Sequence, residues 1–169
     1  MDANPTFRQL PGKRSAYVAR INETEAGAGM SLTIRFTNKT DYGPAIALGE
    51  ITLNDFAETF ETPLTFWSAE RYERQWREGV DRLRLGLSRS CLITSLIEPG
   101  PELFGIWWKL YHEGEQIVVQ NQLLLASEFG NFNPDNPYGS IPERVSVNAD
   151  GEPVSEWVLG FDEINAPLE

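Results

Sequence analysis

Apolar and polar residues alternate along most of this chain, and a helical period interrupts the alternation once. From Ser31 to Thr37, Leu32, Ile34 and Phe36 point one way and Thr33 and Arg35 the other, the pattern of a half-buried strand. Ser15 to Asn22 reads as an earlier strand, followed by a turn over Glu23 to Gly29. Residues 1–13 read as a flexible arm ahead of N-terminal strands within 14–64. Asn38 to Pro44 is a turn, and Ala45 to Leu53 and Phe56 to Leu64 are extended, since Pro63 opposes a helix there. The period then changes. Ser68 is placed to cap a helix over Ala69 to Leu87, with Tyr72, Trp76, Val80, Leu83 and Leu87 forming one apolar stripe toward the core. The outer face offers Glu70 with Arg74, Glu73 with Arg77 and Glu78 with Arg82, acid first at i,i+4, each pair worth ~0.3 kcal/mol.

Strands resume at Cys91 to Ile97, short and apolar enough for the middle of a sheet. Phe104 to Tyr111 and Gln116 to Leu124 form a hairpin through His112 to Glu115. Gly130 to Pro142 is a long loop that is ordered only if Phe132 and Tyr138 pack down. Val145 to Asn148 and Val154 to Leu159 read as a last hairpin around Asp150-Gly151, before a short helical turn at Asp162 to Asn165. This order predicts one α+β domain over residues 1–169: antiparallel sheets built from hairpins, with one long amphipathic helix (68–87) packed on a sheet face and hairpins plus the long loop over 90–160.

Composition adds little until charge is mapped. With 41% apolar and 23% charged residues the balance is that of a globular chain. The absence of an apolar run of about 18 residues, or of an apolar stretch near the start, leads to the expectation of a cytoplasmic protein with no membrane span. The net charge of −11 is uneven: 13 Lys/Arg meet 14 Asp/Glu in residues 1–109, whereas residues 110–169 hold one base, Arg144, and 11 acids. Such an excess repels nucleic acid and favours a basic partner.

The sequence carries little catalytic chemistry. Cys91 sits in an apolar run and reads as a buried thiol. The sole histidine, His112, is expected in an exposed turn, and one Cys plus one His are too few for a zinc site. Neither a phosphate-binding glycine loop nor a Gly-x-Ser-x-Gly elbow occurs, so no catalytic residue, cofactor or metal is assigned. A carboxylate-based hydrolase and a non-catalytic scaffold stand as alternatives to a binding protein. Trp107 and Trp108 are adjacent in a strand and so face opposite ways. One of them is either covered by a second layer or free to anchor an interface.

Four blocks carry a family resemblance: Phe66-Trp67-Ser68 with Tyr72 to Trp76; Leu92 to Ser95; Trp107 to Tyr111 with Gln120-Asn121-Gln122; and Asn136-Pro137-Tyr138, Ile141-Pro142, Asn148 to Gly151 and Ser155-Glu156-Trp157. In that order they resemble immunity proteins of bacterial contact-dependent growth inhibition, over about residues 64–160. The resemblance implies a non-enzymatic cytoplasmic inhibitor that binds the C-terminal domain of a delivered toxin, commonly a nuclease. A phosphate-binding toxin surface is basic, so the acidic tail complements it. The motif residues, aromatic and turn-forming, read as fold maintenance. Toxin-binding residues are therefore sought among acids outside the motifs: Glu113, Glu115, Asp135, Asp150, Glu152, Asp162 and Glu163.

Overall fold

The computed structural model describes residues 32–38, 45–98, 102–130 and 132–164. The expected arm at 1–13 and strand at Ser15 to Asn22 lie outside these residues. The architecture is α+β with two antiparallel sheets. The first sheet has the order β1-β2-β3, from Leu32–Asn38, Ile46–Leu53 and Phe56–Pro63. The helix α1 (Ala69–Arg84) follows, then β4 (Arg89–Ile97), β5 (Phe104–Glu113), β6 (Gln116–Leu125) and β7 (Glu156–Gly160), which form the second sheet in that order. A four-residue helical turn, α2 (Phe161–Ile164), closes the described chain.

The first sheet lies across one face of the second. Strand β3 crosses from the β4 edge, where the Thr62 hydroxyl donates to the Thr94 carbonyl, to the β7 edge, where the Asn54 amide donates to the Val158 carbonyl. Between them Phe56 packs on Trp108 and Trp157, with ring centroids 6.5 and 4.7 Å away. The opposite face of the second sheet is covered by the long segment between β6 and β7. Phe129 and Phe132 stand edge-on to Trp107, and Ile141 is buried. Both adjacent tryptophans are therefore enclosed, one under each layer, and neither is an exposed anchor.

Helix α1 runs along the outward edge of β4. An edge strand leaves N–H and C=O groups unpaired, and burying them unpaired is costly. Here side chains supply the partners. The Gln75 carboxamide donates to the Cys91 carbonyl at 2.8 Å and accepts from the Ile93 N–H at 2.9 Å. The Trp76 indole donates to the Ile93 carbonyl at 2.7 Å, and the Tyr72 hydroxyl accepts from the Leu96 N–H at 2.9 Å. Such an approach leaves no room beside Gly79: a Cβ there would stand 2.4 Å from the Cys91 oxygen. At the start of the helix, Ser68 accepts from the Arg71 N–H as the expected N-cap.

The structure departs from the sequence expectation in four places. The helix ends at Arg84, because Gly86 (φ 80°) turns the chain: the Gly86 N–H reaches the Leu83 carbonyl and the Leu87 N–H the Arg82 carbonyl. Leu87 thus leaves the helical stripe and is exposed. The expected Glu78–Arg82 ion pair is replaced by Tyr138, whose hydroxyl bonds Glu78 while its ring lies under the Arg82 guanidinium. The expected last hairpin shrinks to one bridge, Val147 with Pro153. Trp157 packs on Trp108, and its strand pairs with β6 instead. His112 belongs to β5 and stacks on Phe161 at 4.4 Å, leaving Gly114 and Glu115 as a two-residue turn.

Replacing Gln75 by Leu keeps the volume but strips both Cys91 and Ile93 of their partners. Two orphaned buried groups at about 1–3 kcal/mol each predict a loss of about 2–6 kcal/mol in urea unfolding. A loss under 0.5 kcal/mol contradicts this account of the edge.

Candidate functional site

Three of the seven expected acids meet at one end of the molecule. The Gly114-Glu115 turn brings β5 back as β6, and β7 pairs with β6 through Gln116 and Gly160. That register carries α2 to the hairpin tip, where the Phe161 N–H donates to the Glu115 carbonyl at 2.8 Å. Glu113, Glu115 and Asp162, up to 49 positions apart in the chain, are all exposed at this end. The last turn of α1 closes on the same place. Arg84 donates to the Ile164 carbonyl at 3.1 and 3.0 Å, and the His112 N–H donates to the Ser88 carbonyl at 2.9 Å.

The acids differ in how free they are. Arg144 is the one base in residues 110–169, and it is already engaged. Its guanidinium bonds Glu156 at 2.8 and 2.9 Å and Glu113 at 3.2 Å. The Arg144 hydrogen bonds hold the Glu156 carboxyl below the usual carboxylate range. Glu115 and Asp162 take no ion pair among the described residues. Asp150 and Glu152 project from a separate turn, whose backbone N–H groups bond the Asn148 side chain at 3.0 and 2.9 Å. Asp135 lies apart, paired at 3.2 Å with Arg71 in the first turn of α1, about 20 Å along the helix from Arg84. The side chain of Glu163 is outside the described residues.

Two features of this end were not read from the sequence. Leu85 and Leu87 are exposed beside the acids, at 79% and 41%. The signal for them was Gly86, which ends the helix before Leu87 can turn inward. Apolar side chains flanked by charges are the usual make-up of a protein-binding surface.

Elsewhere, two clefts lined by described residues hold no paired carboxylates. A cleft of about 530 Å3 is lined by Phe129, Asn133, Asn136, Gly139, Ser140, Ile141 and Pro142. A second, of about 300 Å3, has Glu102 as its one acid. Among the described residues, no three His, Cys, Asp or Glu side chains gather as metal ligands would. No described helix is long and apolar enough to cross a membrane. Cys91 is buried, and burial pushes its thiol pKa up, away from a reactive thiolate.

The fold is that of a small α+β protein, and its acidic, partly apolar end has the make-up of a protein-binding surface. Comparison with known proteins places it more narrowly. Residues 62–166 match the family described as the CdiI N-terminal domain. The chain belongs to that family, the immunity proteins of contact-dependent growth inhibition. It is 30% identical over 115 residues to the immunity protein CdiI of Enterobacter cloacae subsp. cloacae, covering 68% of this chain and 79% of that protein. Its fold superimposes, with a TM-score of 0.68 and 27% identity, on a chain of the CdiA-CT/CdiI toxin and immunity complex from Enterobacter cloacae. That match covers 79% of this chain and 92% of the other.

The family blocks coincide with the fold-holding contacts. Tyr72, Gln75 and Trp76 serve the β4 edge, Trp107 and Trp108 fill the two layers, and Tyr138 clamps the loop onto α1. Lys109, in the same block as the tryptophans, is buried with its ammonium 5.9 Å from the Trp107 and Tyr111 rings and without a carboxylate partner among the described residues. Desolvation lowers its pKa from the ordinary lysine value to about 8. The folded state therefore holds this proton less tightly than the unfolded state, so the group's penalty is full below pH 8 and fades as pH rises toward the ordinary lysine value. Lys109→Met is expected to raise Tm at pH 7, and the gain to shrink by pH 10. An equal gain at both pH values contradicts an uncompensated buried charge.

Proposed function

We propose that this chain protects the cell that makes it by binding, in the cytoplasm, the C-terminal domain of a CdiA-type toxin. It acts by occupancy and not by catalysis, and its target is a nuclease with a basic phosphate-binding surface. The observation that carries this is the end where Glu113, Glu115 and Asp162 are exposed together with Leu85 and Leu87. With Arg144 engaged by Glu113 and Glu156, Glu115 and Asp162 are left as uncompensated negative charge for a cationic partner. Asp150, Glu152 and Glu163 add to the same sign in the surrounding field. Asp135, already paired with Arg71, is a weaker contributor. A carboxylate hydrolase finds little support. Glu58 is the acid whose pKa burial raises among the described residues, and it lines neither cleft.

Charge complementarity of this kind acts mainly on association rate and salt dependence. The double variant Glu115→Lys with Asp162→Lys is expected to weaken binding of the cognate toxin domain about tenfold at low salt and to flatten its dependence on ionic strength. Glu113 is left intact because it holds Arg144. Affinity and salt slope equal to wild type remove this end from the interface. Failure of the chain to rescue cells expressing the toxin domain overturns the reading as a whole.

A further inference from the structure

Among the described residues the first sheet covers only part of the second, and the part it leaves is apolar. Phe56 and Glu58 of β3 sit over the rung where Trp108 pairs with Asn121. Toward the hairpin tip, Leu110, Val119, Ile117 and Leu159 on this face are buried. Away from it, the next rung pairs Ile106 with Leu123, which are 41% and 58% exposed. The rung beyond pairs Phe104 with Leu125, both half-buried. These four side chains share the Trp108 face, because residues two apart along a strand point the same way.

Strand β3 borders this patch with an edge that is free among the described residues. It ends the order β1-β2-β3, and β2 lies on its other side. The loop joining β2 to β3 is two residues, Asn54 and Asp55, so Leu53 and Phe56 form the bonded pair beside the turn. Bonding then alternates, which directs the N–H and C=O groups of Ala57, Thr59 and Glu61 away from β2. No backbone hydrogen bond reaches them among the described residues. Adjacent strands lie about 4.8 Å apart, and successive same-face rungs about 6.8 Å apart. A strand added to β3 would therefore lie over Ile106 and Leu123.

Among the described residues, the charge on the strands and strand ends bordering the patch has one sign. Residues 54–64 hold Asp55, Glu58 and Glu61 and no Lys or Arg, and the strand ends bordering the patch hold Glu98 and Glu102. Glu58 points inward beneath β3, with the Asn121 amide at 3.5 Å and no cation among the described residues. Burial raises its pKa, as for a carboxylate that lacks its counter-charge.

We infer that the free edge of β3 and the apolar floor of Ile106 and Leu123 form a docking groove for an extended, basic segment of the toxin domain, added as a fourth strand to the first sheet. This rests on the reading of the chain as a toxin-binding immunity protein. Backbone pairing with Ala57, Thr59 and Glu61 supplies the affinity of such additions, alternate apolar side chains meet the floor, and a Lys or Arg reaches Glu58.

The test uses the full chain and the C-terminal domain of the toxin encoded beside it. Hydrogen exchange of the complex is expected to slow at the Ala57, Thr59 and Glu61 amides relative to the free protein. Calorimetric titration is expected to show at least tenfold weaker binding for Ile106→Lys with Leu123→Lys, and about threefold to tenfold for Thr59→Pro, which removes an outward donor without breaking a β2–β3 bond. Each variant's Tm is measured to establish that it folds. Unchanged exchange at those amides, or folded variants with affinity within twofold of wild type, overturns the groove while leaving the immunity reading intact. A wild-type chain that does not bind the toxin domain at all overturns both.

Discussion

Strand β4 ends its sheet with a buried edge that no other strand completes. The Gln75 carboxamide takes the place of a peptide group there, donating to the Cys91 carbonyl and accepting from the Ile93 N–H. Trp76, Tyr72 and Thr62 complete the row. Much else follows from this constraint. The helix must lie close against the strand, which requires Gly79, and it must present Tyr72, Gln75 and Trp76 on one side. Trp76 and Tyr72 then meet Phe36 and Phe60, which ties the first sheet to the same seam.

The same arrangement separates the family residues from the surfaces proposed for a partner. Residues that satisfy β4 are spent on the fold and are buried. The surfaces proposed for a partner lie at positions outside that seam: a hairpin turn, a helix end and the edge of β3. The uncompensated charge follows the same division, since Arg144 braces Glu113 against Glu156 and Glu115 and Asp162 are left outward.

Much of the architecture was legible because period and turn residues act locally. Leu32, Ile34 and Phe36 marked a strand and Ser68 a helix start. What was not legible depends on contacts distant in sequence. Leu87 fits the helical stripe by spacing, but the turn at Gly86 removes it. Val154 to Leu159 reads as half of a hairpin, but Trp157 is drawn to Trp108, and only its neighbours in space reveal that. The acidic excess in the last third was plain from the chain. That Glu113 is held by Arg144, Asp135 by Arg71, and Glu115 and Asp162 by neither required the register of β5, β6 and β7. The acids of β3 did not stand out, since basic residues elsewhere in the first two thirds balance them in any count by sequence.

The central claim is that the seam of α1 on β4 holds the fold and takes no part in binding. Its most direct test is the toxin-domain affinity of the Gln75→Ala variant, expressed per folded molecule at a temperature well below its Tm. The account predicts a dissociation constant within about twofold of wild type despite the lowered Tm. A folded variant that binds ten times more weakly would contradict it, because the seam would then belong to the interface.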